Sequence, residues 1–226
     1  MTILLYDLCG ADDLRFSPYC FRAKMALALK GIAYETIPVP FTGIAEIGRG
    51  SFRTVPVMVD GEQRVGDSFA IAEHLEARHQ GAPLFPLGDA GRAAARFVEG
   101  LMNGLVQPAI SPLIGADIHR RLQPVDHDYF RNSREHRFGR TLEAAQAERT
   151  ARLPDVRRLL IPLRHALRDR PFLGGERPMF IDAIPFGTIA WTVAIGMNDL
   201  IGDDPVMAPW FDRCRTAAGL ASTAVA

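Results

Sequence analysis

The sequence predicts an α/β domain followed by an all-helical one, on three observations. Strand-length apolar runs alternate with helical patterns through residue 80. Residues 81–91, Gly-Ala-Pro-Leu-Phe-Pro-Leu-Gly-Asp-Ala-Gly, read as a Pro/Gly-rich linker, and no strand pattern returns after them. The expected division is therefore 1–80, 81–91 and 92–226.

Ile3 to Tyr6 is an apolar run of strand length, ended by Asp7 and a polar loop from Gly10 to Arg15. From Pro18 to Lys30, Phe21, Met25, Leu27, Ala28 and Leu29 recur at near-helical spacing. Ser17 stands at the N-cap, Pro18 at the first position and Gly31 at the C-cap. Ile32 to Val39 reads as a second strand, so the three form a βαβ unit with a right-handed crossover. Phe41 to Phe52 is a Gly-rich loop with a short helix expected at Ile44 to Ile47. Val55 to Asp60, the turn Gly61-Glu62 and Gln63 to Val65 then form a hairpin. Ser68 opens a helix through Ala77, whose Phe69, Ile71, Ala72 and Leu75 should lie on the sheet. The order β-α-β-α-β-β-α is that of a thioredoxin-like domain.

In the second domain Ala93 to His119 is helix-like, with breaks or kinks expected at Pro108 and Pro112. Single helices are expected over Asp126 to Arg152, Asp155 to Arg168 and Ile181 to Met197, the last apolar on most sides and hence buried. Pro209 to Arg215 offers one more. The tail from Ala218 has only Leu220 and Val225 as anchors and is expected to fray.

Composition excludes more than it assigns. The 26 basic residues balance 26 acidic ones, so no global field would gather nucleic acid. The dense arginines, Arg120-Arg121, Arg131, Arg134, Arg137 and Arg140, are interrupted by acids and read as a solvated helix face, part of which could meet a second subunit. Cys9, Cys20 and Cys214 match neither a zinc site nor a disulfide framework and suit a reducing compartment. The N-terminal apolar run lacks a basic flank and is too short for a signal or membrane span, so a cytoplasmic location without membrane contact is expected.

The chemistry centres on Ser17-Pro18-Tyr19-Cys20, at the mouth of a strand-to-helix turn where backbone N–H groups and the helix dipole stabilise an anion such as a thiolate. Helix capping alone would also explain these four residues.

Ser17-Pro18-Tyr19-Cys20-Phe21-Arg22 resembles the active-site segment of serine- and cysteine-type cytosolic glutathione transferases, and the Cys-Pro-Tyr-Cys of glutaredoxins with the first Cys replaced. Arg53-Thr54-Val55-Pro56 followed by Asp67-Ser68 resembles that family's pair of glutathione-binding motifs, in which the Pro peptide is cis. The resemblance implies the glutathione transferase fold, glutathione as cosubstrate without a metal, a homodimer and an electrophilic small-molecule partner. Val55 would pair its backbone with the cysteinyl backbone of glutathione, Ser68 would hold the γ-glutamyl carboxylate and Asp67 its ammonium. Ser17 would donate to the glutathione sulfur and lower the thiol pKa from its ordinary ~8.5.

Two rivals for the catalytic role are Tyr6, near the place of the hydroxyl in tyrosine-type transferases, and Cys20, at the glutaredoxin resolving position, which would support thiol transfer or deglutathionylation. A non-catalytic ligand-binding homologue is the third alternative. Phe41-Thr42-Gly43-Ile44 and Asp128-Tyr129-Phe130-Arg131-Asn132-Ser133-Arg134-Glu135 are similar to bacterial glutathione-dependent β-aryl etherases and their fungal relatives. An aromatic electrophile is thereby implied. Its site is expected over Ser17 and Tyr19, against Leu105, Ile110 and Leu113 of the kinked helix and the Trp210 region. Phe180-Ile181-Asp182 resembles the family's capping box with Met179 in place of Ser or Thr, leaving Asp182 to carry half of it.

Overall fold

The computed structural model describes residues 2–86 and 88–220. Its first part holds β1 (Ile3–Leu8), α1 (Pro18–Leu29), β2 (Tyr34–Val39), β3 (Val57–Asp60), β4 (Gln63–Gly66) and α2 (Ser68–Arg78). The sheet order is β2-β1-β3-β4, with β1 and β2 parallel and both other pairings antiparallel. This is a thioredoxin-like arrangement. Pro38 lies inside β2, where its missing N–H is tolerated because β2 is an edge strand with β1 as its one neighbour. The turn between β3 and β4 holds Gly61 at φ 62°, a left-handed conformation that costs glycine nothing. Asp60 at that turn meets Nε2 of His74 at 2.8 Å and of His79 at 2.7 Å, tying the hairpin to α2.

All helices after α2 belong to the second part: α3 (Asp89–Leu101), α4 (Gln107–Arg120), α5 (His127–Phe138), α6 (Leu142–Ala147), α7 (Arg149–Leu159), α8 (Ile161–Ala166), α9 (Phe180–Ala194) and α10 (Met207–Ala217). No described helix is long and apolar enough to cross a membrane. α9 is buried almost all round and packs along α1, so the contact between the two parts is a continuation of the core. At their closest approach Gly187 leaves no room for a side chain: a Cβ there would lie 2.3 Å from the carbonyl oxygen of Pro18.

Several expected boundaries move, each for a local reason. The loop helix at Ile44 to Ile47 is a kinked series of 3₁₀ turns over Thr42–Gly50. α3 begins at Asp89, inside the expected linker, because Gly88 takes φ 58° before it and Asp89 places an acid in the first turn. Pro112 sits within α4 without ending it. The disturbance falls instead on the wide π turn Met102–Val106, just before Pro108, whose ring would crowd a regular preceding turn. The span 126–152 is three helices: Gly139 at φ 68° closes α5, the Thr141 hydroxyl accepts from Ala144 N–H to open α6, and Glu148 separates α6 from α7. The span 155–168 is likewise divided at Leu160, ahead of Pro162 in the first turn of α8. Leu220 packs against the core, whereas Val225 lies outside the described residues.

Asp182 is buried at the start of α9 and accepts four hydrogen bonds: from the N–H groups of Leu173 (2.7 Å), Gly174 (3.0 Å) and Met179 (3.1 Å), and from Trp210 Nε1 (2.9 Å). The Met179 bond is the surviving half of the capping box. Burial pushes the carboxyl upward while these donors pull it down.

Candidate functional site

Between the two parts lies a cleft of about 1000 Å³. The Ser17, Val55-Pro56 and Asp67-Ser68 segments, distant from one another in sequence, all line it, as do Tyr19, Arg53 and Thr54.

Ser17 is 4% exposed and caps α1, its Oγ accepting from Cys20 N–H at 3.2 Å. That bond uses an oxygen lone pair and leaves the hydroxyl hydrogen for another acceptor, so capping and anion stabilisation are compatible in one side chain. The Val55-Pro56 peptide is cis, and the ladder of β3 begins two residues after Val55. Asp67, at φ 73°, caps α2 by accepting from Phe69 and Ala70 N–H at 2.9 and 3.0 Å through Oδ1. Ser68 is fully buried, yet its Oγ has no partner among the described residues. A buried, unpartnered hydroxyl at a helix N-terminus in a cleft is the donor set an anionic ligand group requires.

Tyr19 donates to Gln107 Oε1 at 2.9 Å, and Gln107 Nε2 donates to Thr188 Oγ1 at 3.0 Å, a polar chain from α1 through α4 to α9. Arg22, fully buried, extends the same junction by donating to Ile184 O (3.3 Å) and Asn103 Oδ1 (2.8 Å), with Glu99 3.7 Å away. Burial brings its pKa down to about 10.

The two rivals stand elsewhere. Tyr6 pairs with Ile37 and Val57 within the sheet and does not line the cleft. Cys20 does not line it either: it is 1% exposed, and burial drives its thiol pKa far upward, the reverse of what a nucleophilic thiolate needs.

The electrophile wall also differs from expectation. Leu105 is 54% exposed, Ile110 and Leu113 are fully buried, and none of them lines the cleft. Asn103 of the π turn and Gln107, Pro108, Ser111 and Pro112 of α4 form that wall. Trp210 is enclosed beside Asp182, and it is Trp191 of α9 that reaches the cleft.

The remaining wall comes from Phe41, Ile44 and one face of α5: Phe130, Ser133, Arg134 and Arg137, at i, i+3, i+4 and i+7. Arg134 and Arg137 therefore face the cleft, while Arg131 on another face pairs with Glu135 (2.8 Å) and Glu143 (2.9 Å). That spacing was present in the sequence. What it lacked was a reason to choose this face over the solvated one. Phe41 stacks on Phe130 at 5.5 Å and Tyr129 at 6.2 Å. Its position is pinned by buried Asp126, which accepts from Phe41 N–H (2.8 Å), Thr42 N–H (2.9 Å) and the Thr42 hydroxyl (2.9 Å).

A thioredoxin-like sheet, a helical second part and a cleft between them with a capping serine and a cis proline define a glutathione transferase architecture. Residues 16–78 match the glutathione S-transferase N-terminal domain and residues 93–203 the C-terminal domain, together well over half of the chain, which belongs to the glutathione S-transferase superfamily. A zeta-class glutathione S-transferase from Euphorbia esula is 34% identical over 98 residues, 39% of this chain; the match spans 41% of that relative's length. Glutathione transferase GSTFuA2 from Phanerochaete chrysosporium superimposes with a TM-score of 0.80 at 27% identity, covering 97% of this chain and 98% of that one. A glutathione S-transferase of Ceriporiopsis subvermispora in complex with glutathione gives a TM-score of 0.81 at 22% identity over 100% of both chains.

Proposed function

We propose that the chain is a glutathione transferase that activates the glutathione thiol through Ser17 for attack on an aromatic electrophile. The observation that carries this is the convergence, in one cleft, of the Ser17 hydroxyl at the N-cap of α1 and a buried, unpartnered Ser68 Oγ. Ser68 and the α2 N-terminus receive the γ-glutamyl carboxylate, the second oxygen of Asp67 faces the ammonium, and the Val55 backbone pairs with the cysteinyl unit, with Arg53 and Thr54 beside it. Ser17 donates to the sulfur. The thiol proton leaves to solvent, the thiolate forms a C–S bond, and the leaving group departs with its electron pair.

An aryl ether fits as the electrophile because both segments similar to β-aryl etherases supply the aromatic wall, through Phe41, Tyr129 and Phe130. In that reaction the carbon–aryloxy bond breaks and the phenoxide takes a proton from water. The domain division at 80 and 92, a cytoplasmic location and a homodimer complete the proposal. The three cysteines, all buried and unpaired, support a reducing compartment.

The test is turnover of an aryl ether and a general electrophile with glutathione present and absent, by the wild type, Ser17→Ala and Cys20→Ser. Activity that needs glutathione, falls in Ser17→Ala and survives in Cys20→Ser supports the reading. Equal activity of Ser17→Ala and wild type refutes it, and loss of thiol transfer in Cys20→Ser would favour the Cys20 alternative.

A further inference from the structure

The cleft carries cationic side chains that none of the contacts assigned to glutathione uses. Its lining holds Arg53, Arg134, Arg137, Arg140 and Arg152 against one carboxylate, Asp67. Arg140 and Arg152 are already paired, both with Glu148. Arg53 adjoins the Val55-Pro56 segment. Arg134 and Arg137 have no carboxylate within 4.0 Å among the described residues.

Arg134 is the more telling of the two. Its guanidinium lies over the ring of Phe130 at 4.7 Å and near that of Phe41 at 5.6 Å, and Nη1 donates to Ser133 Oγ at 2.8 Å. Burial and the neighbouring charge of Arg137 both work against its cation. A half-buried guanidinium stacked on aromatic rings, with most of its N–H fork uncommitted, is matched by a planar anion attached to an arene. The rings take the arene and the fork takes the oxygens.

We propose that the electrophile is an aromatic acid, whose carboxylate is received by Arg134 with Arg137. This rests on the cleft being the site of glutathione conjugation. Arg134 sits on α5 with Tyr129 and Phe130, against Phe41 of the segment after β2, on elements separate from those assigned to glutathione, so the specificity it confers concerns the second substrate.

The experiment uses a matched pair of electrophiles, para-chloromethylbenzoate and benzyl chloride; in both, a C–S bond forms as chloride leaves with the C–Cl electron pair. For the wild type, kcat/KM should favour the acid, and Arg134→Gln should reduce the acid-to-neutral ratio by about tenfold or more, as expected for a charge-assisted bidentate contact. Arg134→Lys should restore part of the ratio, and Arg137→Gln should lower it less. A parallel titration follows tryptophan fluorescence, in which Trp191 reports on the cleft, as para-toluate or neutral para-methylbenzamide is added to glutathione-loaded protein; the acid should bind more weakly to Arg134→Gln and the amide equally.

An unchanged ratio in both arginine variants, or equal binding of para-toluate by wild type and variants, overturns the inference, as does weaker glutathione binding in Arg134→Gln. If the wild type turns over neither electrophile, the conjugation reading fails, and the para-toluate titration decides this inference independently. Should Arg134→Gln fail to fold, Arg137→Gln carries both readouts.

Discussion

Replacing Ser17 by Ala removes two hydrogen bonds of different kinds. One is the N-cap bond accepted from Cys20 N–H at 3.2 Å, whose loss costs about 0.5–2 kcal/mol of stability. The other is the proposed donation to the glutathione sulfur. Hydrogen bonds to charged groups contribute about 1.5–3 kcal/mol, and one pKa unit corresponds to about 1.4 kcal/mol. Loss of the donor should therefore raise the pKa of bound glutathione's thiol by about 1 to 2, toward or past its ordinary ~8.5. At neutral pH the thiolate fraction, and with it kcat/KM, should fall about tenfold or more, while glutathione binding persists through Ser68, Asp67 and Val55. Ser17→Asp separates the two effects: a carboxylate keeps the cap but supplies no donor and repels a thiolate. It should keep the cap bond that Ser17→Ala loses and yet have the highest thiol pKa of the three. The assay is the near-ultraviolet absorbance of bound thiolate, titrated in each variant beside urea unfolding. A bound thiol that titrates at the same pH in wild type and Ser17→Ala would refute the argument, leaving Ser17 a helix cap and nothing more.

Three further outcomes follow from the surrounding structure. Asp182→Ala would leave four buried N–H donors, including Trp210 Nε1, without an acceptor; a loss of at least about 3 kcal/mol is expected by urea unfolding, with Asp182→Asn losing less. Gly187→Ala places a methyl 2.3 Å from Pro18 O, so α1 and α9 must separate; about 1–3 kcal/mol should be lost, and turnover should fall too because Pro18 adjoins Ser17. Glu76 pairs with Lys30 at 2.7 Å and accepts from Leu84 N–H at 3.0 Å. Burial acts to raise its pKa, but these donors outweigh it and hold the carboxyl below its usual value. The folded pKa being depressed, this stabilisation is complete above the unfolded value near 4.5 and is lost as pH falls through the folded one. Urea midpoints measured across that acid range should fall less steeply in Glu76→Gln than in the wild type.

The order of elements, the helix starts at Ser17 and Ser68, the hairpin at Gly61 and the helical second half were all legible in the chain. Each depends on local chemistry: alternation, capping, positive φ and proline sterics. The segments that line the cleft were brought forward by the resemblance to glutathione transferases; taken alone, Ser17 reads as a helix cap and Val55-Pro56 as the start of a strand. Tertiary structure alone decided which way the helices turn. Leu105, Ile110 and Leu113 lie off the cleft, and Gln107, Pro108 and Ser111 line it. Packing against Phe41, pinned by a carboxylate more than eighty residues away, turned the Arg134 face inward although its composition reads as solvated. Burial sets Cys20 apart from the cleft lining. Exposure, rotation about a helix axis and the pairing of distant charges are sums over the whole fold, and no window of sequence contains them.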